Sequence, residues 1–172
     1  GVKMSLISAE LQGKMRKIKM LIMDVDGTLT DGKIYLGNDG EELKAFNVKD
    51  GLGINLLHKE GIIPAIITGR SSEIVNNRAR ELKIEEVHQG IKDKLEVYRY
   101  LKEKYGLQDE EIAYIGDDLN DLEIMEEAGV SFTVRDGALL LQERCDYCAS
   151  KNGGEGAVRE IIDLILLSRE SL

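Results

Sequence analysis

The chain has 172 residues, the size of one ordinary domain with room for its own core, and its 42% apolar and 32% charged residues are the balance of a soluble globular protein. A formal charge of −9 and the lack of a dense Lys/Arg block set aside nucleic acid and anionic membrane surfaces as partners, and no apolar run approaches the length needed to cross a bilayer. An acidic protein acting on an anionic ligand must concentrate positive charge locally, with a metal ion and a few cations in its pocket.

The segment Gly1 to Lys19 mixes Lys and Arg with Leu, Ile and Met but has no uninterrupted apolar stretch followed by a small-residue cleavage site, so a secretory signal is not expected and a cytoplasmic location is. Ile18 to Met23 then forms the first of several apolar runs bounded by turn residues, and it predicts a buried parallel strand. At its end stands Asp24-Val25-Asp26-Gly27-Thr28-Leu29-Thr30-Asp31-Gly32. The Gly-rich turn lets the second carboxylate swing away from the first, so one can attack while the other trades a proton; an acidic turn after a strand is the plain alternative. Lys33 to Leu36 and Glu41 to Asn47 alternate in part around Gly37-Asn38-Asp39-Gly40, which predicts a β-hairpin inserted over the end of the sheet, a flap or an assembly surface.

Helical spacing over Leu52 to Lys59 leads into a second strand, Ile62 to Ile67, whose Pro64 lies near the start where a missing N–H is tolerated. That strand ends in Thr68-Gly69-Arg70, a hydroxyl and exposed backbone N–H groups that can hold phosphate oxygens. A helix over Ser72 to Leu82 carries Arg78, and Ile84 to His88 reads as the next strand. Arg70 and Arg78 can meet a carboxylate by bidentate pairing, against the alternative of solvated helix arginines.

Lys94 opens a helix over Lys94 to Tyr105, placed to neutralise a carboxylate nucleophile and a phosphoryl group; Lys92 competes for that role, and a solvated lysine is the plain alternative. Ile112 to Ile115 runs into Gly116-Asp117-Asp118-Leu119-Asn120-Asp121, hard oxygen ligands suited to magnesium, although Asp118 also serves as the N-cap of a helix over Leu119 to Glu127. Val130 to Val134 is the last long strand, and Cys145 and Cys148 flank a short one over Asp146 to Ala149. A C-x-x-C can be a redox pair or half a zinc site, but with His58 and His88 distant and no second Cys pair, two reduced thiols is the simpler reading. Gly153 to Gly156 reads as a helix-start loop, a plain connector or a lid.

Strands alternating with helices imply right-handed βαβ units and a three-layer, Rossmann-like α/β domain spanning 1–172, with a hairpin insert at about 33–47 and a C-terminal tail at about 150–172. Ligands of such folds bind beyond the carboxyl ends of the strands. All four chemical signals fall there in order, and the chain at this point resembles the haloacid dehalogenase superfamily, with its D-x-D-G-x-x, strand-end Ser or Thr, distant Lys, and G-D-D-x-x-D. The resemblance implies a phosphatase with Asp24 as nucleophile, forming an aspartyl phosphate, and Asp26 as general acid and then base. It implies Mg²⁺ held by the Asp24 carboxylate, the Asp26 carbonyl and the Asp117 carboxylate, with Thr68 and Lys94 on the phosphoryl group, Thr68, Gly69, Arg70, Arg78 and Lys94 on substrate, and Asp118 and Asp121 in support. Ionised carboxylate and phosphate dianion repel, which Mg²⁺ and Lys94 would offset.

Larger members of that superfamily carry a cap domain, for which this chain has room only for the hairpin. It resembles the capless, tetrameric family of 3-deoxy-D-manno-octulosonate 8-phosphate phosphatases, through Asp24 to Gly32, Phe46-Asn47-Val48-Lys49-Asp50-Gly51, Ile67-Thr68-Gly69-Arg70, Gly116 to Asp121, and Gly153-Gly154-Glu155-Gly156-Ala157-Val158-Arg159-Glu160. The resemblance implies hydrolysis of that eight-carbon sugar-acid phosphate in lipopolysaccharide biosynthesis, by a homotetramer whose hairpins associate and whose tails help close neighbouring pockets. Glu155 departs from the basic or neutral residue common there. Similar phosphatases take nine-carbon, sialic-acid-type 9-phosphates, and Arg70 tilts the expectation toward eight carbons. The missing cap and the lack of a Schiff-base lysine near the nucleophile count against a phosphomutase or phosphonatase using the same aspartate. The complete motif set counts against a non-catalytic oligomerisation module of the same fold.

Overall fold

The computed structural model describes residues 7–40, 42–170 and 172. The chain runs α1 (Ala9–Arg16), β1 (Met20–Met23), β2 (Tyr35–Leu36), β3 (Glu42–Leu43), α2 (Val48–Glu60), β4 (Ile63–Ile67), α3 (Glu73–Glu81), β5 (Glu86–His88), α4 (Lys94–Lys104), β6 (Ile112–Gly116), α5 (Leu122–Glu127), β7 (Val130–Thr133), α6 (Leu139–Arg144), β8 (Tyr147–Cys148) and α7 (Ala157–Ser168). Six strands form one parallel sheet in the order β5-β4-β1-β6-β7-β8, with β2 and β3 a separate antiparallel pair. The order reverses at β1, so the crevice between β1 and its neighbours β4 and β6 is the switch point where ligands of doubly wound sheets bind.

The four residues of β1 are all buried, because helices cover both faces. Leu21 and Met23 face a core built with α1, α2, α3 and α7, while Met20 and Ile22 face one built with α4 and α5. Local chemistry fixes the helix ends: Asn47 caps α2 by accepting from Lys49 N at 2.8 Å, Ser72 caps α3 by accepting from Ile74 N at 3.2 Å, and α2 stops at Gly61, whose φ is 78°.

The three-layer architecture and the five long strands are as expected, with ends shifted by one or two residues. Ile84 is outside β5, since its N–H returns to Ala79 O at 2.9 Å in the exit of α3. The expected helix over Leu119 to Glu127 begins as a 3-10 turn, Leu119–Asp121. Each hairpin strand is only two residues long, and Glu41 lies outside the described residues, as does Gly1 to Leu6 of the N-terminal segment. Beyond Leu43 the chain leaves the ladder because Lys44 reaches an ion pair, Phe46 packs on the core and Asn47 caps α2.

The stretch expected as a tail, 150–172, instead contributes α7, whose Val158, Ile161, Ile162, Leu164 and Ile165 pack in the core against α1 and α2. Each such buried side chain is worth about 1.5–3 kcal/mol. Among the described residues no helix is long and apolar enough to cross a membrane.

Candidate active site

The loop after β1 is shaped before any ligand enters. Asp24 N–H continues the ladder to Ile115 O at 3.1 Å; Val25 O then accepts the N–H groups of Thr28, Leu29 and Thr30, and Thr30 Oγ1 accepts those of Gly27 and Gly32 at 3.2 and 3.1 Å. At Gly27 (φ 88°) a Cβ would lie 1.9 Å from Asp117 Oδ2, so only glycine lets Asp117 approach the loop. Gly153 meets the other side of this loop, where a Cβ would sit 1.8 Å from Gly27 O, and Gly154 N–H donates to Thr28 O at 3.1 Å. Both glycines therefore support the subunit's own Asp24–Gly32 turn.

Three carboxylates cluster here, and two of them meet one lysine. Lys94 Nζ lies 2.8 Å from Asp121 Oδ1 and 3.3 Å from Asp24 Oδ1, and all three side chains are buried. Asp24, Asp117 and Asp121 each bring a carboxylate oxygen within 4.8 Å of one another. Asp121 already has its partners: the Lys94 ammonium and the Tyr114 hydroxyl on Oδ1, and the amides of Asp117 and Asp118 on Oδ2 at 2.9 and 3.2 Å. Asp24 Oδ1 accepts from Val25 N at 2.8 Å and meets Lys94, so Asp24 Oδ2 and the Asp117 carboxylate are the oxygens best placed to hold a cation.

The electrostatics point the same way. Burial pushes the Asp24 carboxyl above its ordinary range, aided by the Asp121 charge and opposed by Lys94. Asp117 is pushed up to about 9, first by burial and then by its hydrogen bond with Asp24 and the Asp24 charge. Lys94 loses hydration, yet Asp24 and Asp121 outweigh that loss and hold its ammonium more firmly than usual. One ammonium in a cluster of three acids leaves a deficit of positive charge, and all-oxygen donors suit a hard divalent ion.

Thr68, at the end of β4, and Gly69 line the same cleft of about 280 Å³ together with Asp24, Asp26, Arg70 and Asp117. Thr68 is buried, its N–H held by His88 O at 2.9 Å and its carbonyl by Ile91 N–H at 3.1 Å. Asp118 is exposed at the cleft edge and caps the following turn, accepting from Leu119 N at 2.8 Å. Lys92, the competing lysine, is exposed and outside this cleft.

Arg78 is not brought to the cleft. Its guanidinium lies 5.6 Å over the Phe46 ring and pairs with Glu81 at 3.2 Å, beside the buried Asp50. Asp50 accepts from Arg159 N at 2.8 Å, which ties α2 to the start of α7, and burial pushes its carboxyl up to about 6. Cys145 and Cys148 are free thiols; burial raises both, Cys145 to about 11.

Three contributors escaped sequence reasoning. Lys44 Nζ pairs with Asp26 Oδ1 at 2.6 Å and with Glu42 Oε1 at 2.9 Å, while Arg70 sits 3.4 Å from Glu42 Oε1 and 4.0 Å from Asp26 Oδ2. Tyr114, wholly buried in β6, donates to Asp121. The one available signal was the run of charge in Glu42-Leu43-Lys44, which keeps both ions on one face of an extended chain.

A doubly wound α/β domain with an aspartate cluster around one lysine at its strand tips is built for phosphoryl transfer. Residues 84–162 match the family of haloacid dehalogenase-like hydrolases. The chain is 48% identical over 166 residues to the 3-deoxy-D-manno-octulosonate 8-phosphate phosphatase KdsC of Escherichia coli K12, covering 96% of this chain and 88% of that one. The crystal structure of a 3-deoxy-D-manno-octulosonate 8-phosphate phosphatase from Yersinia pestis superposes with a TM-score of 0.95 at 46% identity, covering 96% of this chain and 90% of that chain. The Moraxella catarrhalis phosphatase of the same name, in complex with magnesium, phosphate and a KDO molecule, superposes with a TM-score of 0.92 at 47% identity, over 94% of this chain and 92% of that chain. The chain belongs to the haloacid dehalogenase-like hydrolases and, among them, to the family of 3-deoxy-D-manno-octulosonate 8-phosphate phosphatases.

Proposed function

We propose that this protein is a phosphomonoesterase that hydrolyses 3-deoxy-D-manno-octulosonate 8-phosphate to the free sugar acid and inorganic phosphate. The observation that carries this is the clustering of Asp24, Asp117 and Asp121, with Lys94 paired to Asp24 and Asp121, in a chain of that family.

Asp24, at the tip of β1, is the nucleophile: its carboxylate attacks phosphorus as the bond to the sugar oxygen breaks, giving an aspartyl phosphate on Asp24. Asp26 donates a proton to the leaving alkoxide, then takes one from the water that releases phosphate. Thr68 and the Gly69 N–H hold phosphoryl oxygens, and Lys94 neutralises charge on nucleophile and phosphoryl group alike. Asp121 orients Lys94 and the amides of Asp117 and Asp118, and Arg70 at the cleft rim takes the substrate carboxylate. Arg78, packed against Phe46, is given no part in this scheme.

The Asp24 carboxylate, the Asp26 carbonyl and the Asp117 carboxylate would hold a magnesium ion, which when bound supplies the positive charge that the cluster lacks. Lys94 adds its own ammonium against Asp24, so nucleophile and phosphoryl group would come together with less repulsion.

The same reading makes the protein a cytoplasmic homotetramer. Tyr35, Leu36 and Leu43 expose apolar surface on the hairpin, fitting its burial against neighbouring copies, and two free thiols fit a reducing compartment. Native mass spectrometry on wild type and on Leu36→Asp checks the assembly.

The decisive assay is phosphate release from the 8-phosphate with Mg²⁺, beside a panel of nine-carbon 9-phosphates. Wild type is expected to prefer the eight-carbon acid, and Asp24→Asn to lose activity by on the order of 10⁴-fold or more. Turnover retained in Asp24→Asn would reject the mechanism, and preference for a nine-carbon acid would reject the substrate.

A further inference from the structure

We propose that Lys44, on the chain returning from the hairpin, is a positioning residue that fixes which oxygen of Asp26 exchanges the proton. The inference rests on the acid–base role given to Asp26 above.

The Asp26 side chain is 20% exposed, and nothing in its own turn holds the carboxyl group; its contacts come from Lys44 and Arg70. A half-open aspartate so placed samples several rotamers, and a proton donor that wanders by an ångström loses much of its rate advantage. Lys44 removes that freedom. Its Nζ lies 2.6 Å from Asp26 Oδ1, and its side chain is only 1% exposed. A buried ammonium stays with its carboxylate partners because it has no water to turn to. Glu42 holds the ammonium from the other side at 2.9 Å, and Arg70 bridges Glu42 and Asp26 at 3.4 and 4.0 Å.

With Oδ1 engaged by Lys44, Oδ2 is left facing Arg70 at the rim of the cleft. In the first half-reaction the Asp24–phosphorus bond forms and the phosphorus–sugar oxygen bond breaks, and the proton on Asp26 Oδ2 moves to that sugar oxygen. In the second, a water oxygen displaces Asp24 from phosphorus, and Oδ2 takes the proton the water gives up. The hairpin thereby acts on the proton transfer as well as covering the sheet: the residue that aims the acid directly follows its return strand.

The experiment compares Lys44→Met, Lys44→Arg, Glu42→Gln and Asp26→Asn on 3-deoxy-D-manno-octulosonate 8-phosphate and on p-nitrophenyl phosphate, whose leaving group departs without a proton. A misaimed acid harms the first substrate selectively, in kcat/KM, because that parameter includes leaving-group departure. Lys44→Met is expected to lower kcat/KM for the sugar phosphate by about 10–100-fold with KM little changed, to spare the aryl phosphate, and to be partly rescued in Lys44→Arg. Glu42→Gln, which leaves Lys44 in place, should give the same selectivity at a smaller loss, and it carries the test should Lys44→Met fail to fold by circular dichroism. Equal losses on both substrates, a raised KM at unchanged kcat, or no loss at all would overturn the role given to Lys44. Selective loss in Asp26→Asn without selective loss in the Lys44 variants sinks the positioning role alone, whereas loss in Asp26→Asn that ignores the leaving group sinks the assignment of Asp26 on which it stands.

Discussion

Two buried acidic clusters sit at the two ends of this sheet, and they are balanced in opposite ways. At the carboxyl ends of β1 and β6, Asp24, Asp117 and Asp121 cluster around a single ammonium, that of Lys94, which pairs with Asp24 and Asp121 and leaves Asp117 without a cation. At the start of β5, the one carboxylate of Glu86 is held by Lys104 at 2.7 Å, the Tyr105 hydroxyl at 2.8 Å and His88 at 3.1 Å. Burial alone pushes Glu86 up, but these three partners outweigh it and hold the carboxyl below its ordinary range; Asp117 goes the other way, up to about 9. The lesson is that burial of charge does not by itself mark a site. A cluster whose charges cancel is structure, and a cluster left short of cations is waiting for one.

The sharpest way to break this contrast is to remove the one cation the upper cluster has. Lys94→Met leaves Asp24 and Asp121 buried without their counter-charge, which typically costs about 3–5 kcal/mol, and it strips the nucleophile and phosphoryl group of a stabilising charge. Loss of turnover by on the order of 10³-fold is expected in phosphate-release assays, with a fall in thermal midpoint for the metal-free protein. If Lys94→Met were as stable and as active as wild type, the charge deficit would not be what organises the site.

Adding the missing cation should do the reverse, with a sign that pH reveals. Asp117 has a folded pKa above its unfolded one, so the metal-free fold binds protons more tightly than the unfolded chain between roughly pH 4 and 9. Its contribution favours the fold at low pH and is lost as pH rises through that window. Magnesium competes with that proton: at a fixed concentration the ion should stabilise the protein more at pH 8 than at pH 6, reaching about 2.7 kcal/mol where it stands at a hundredfold excess over Kd, and should release protons on binding. Calorimetry in two buffers of different ionisation enthalpy reads the proton count; no release at pH 7 would mean that Asp117 is already ionised.

The two clusters also differ in how far the sequence discloses them. Asp24, Thr68 and Asp117 follow apolar runs directly, and strand ends in a parallel sheet all point to one crevice, so chain position alone gathers them there. Lys94 opens a helix reaching the same end. Lys44 and Tyr114 were not legible. The burial of Lys44 depends on how a two-residue hairpin folds back, and the Tyr114 hydroxyl works only because β6 runs beside the turn carrying Asp121. Arg78 shares a helical face with Val75 and Leu82, and that face turns toward α2 and away from the cleft. The core role of α7 was hidden by the glycines before it, which read equally as a connector or a lid until Gly153 is seen pressed against Gly27.

The smallest effect belongs to the balanced cluster, and it is the control that gives the others meaning. Glu86→Gln keeps the volume but weakens the bonds to Lys104, Tyr105 and His88, for an expected loss of about 1–2 kcal/mol in denaturant unfolding and no change in kcat/KM. Its pH dependence has the opposite sign to that of Asp117. A folded pKa below the unfolded value gives stability that is present above about pH 4.3 and disappears as pH falls through the folded pKa, so wild type and Glu86→Gln should converge in stability under acid and separate near neutrality. Magnesium should shift both proteins equally, because Glu86 stands at the opposite end of the strands from the cation-poor cluster. A Glu86→Gln protein that lost turnover or its response to magnesium would mean that the two ends of the sheet are coupled, and that charge balance fails to separate structure from site in this fold.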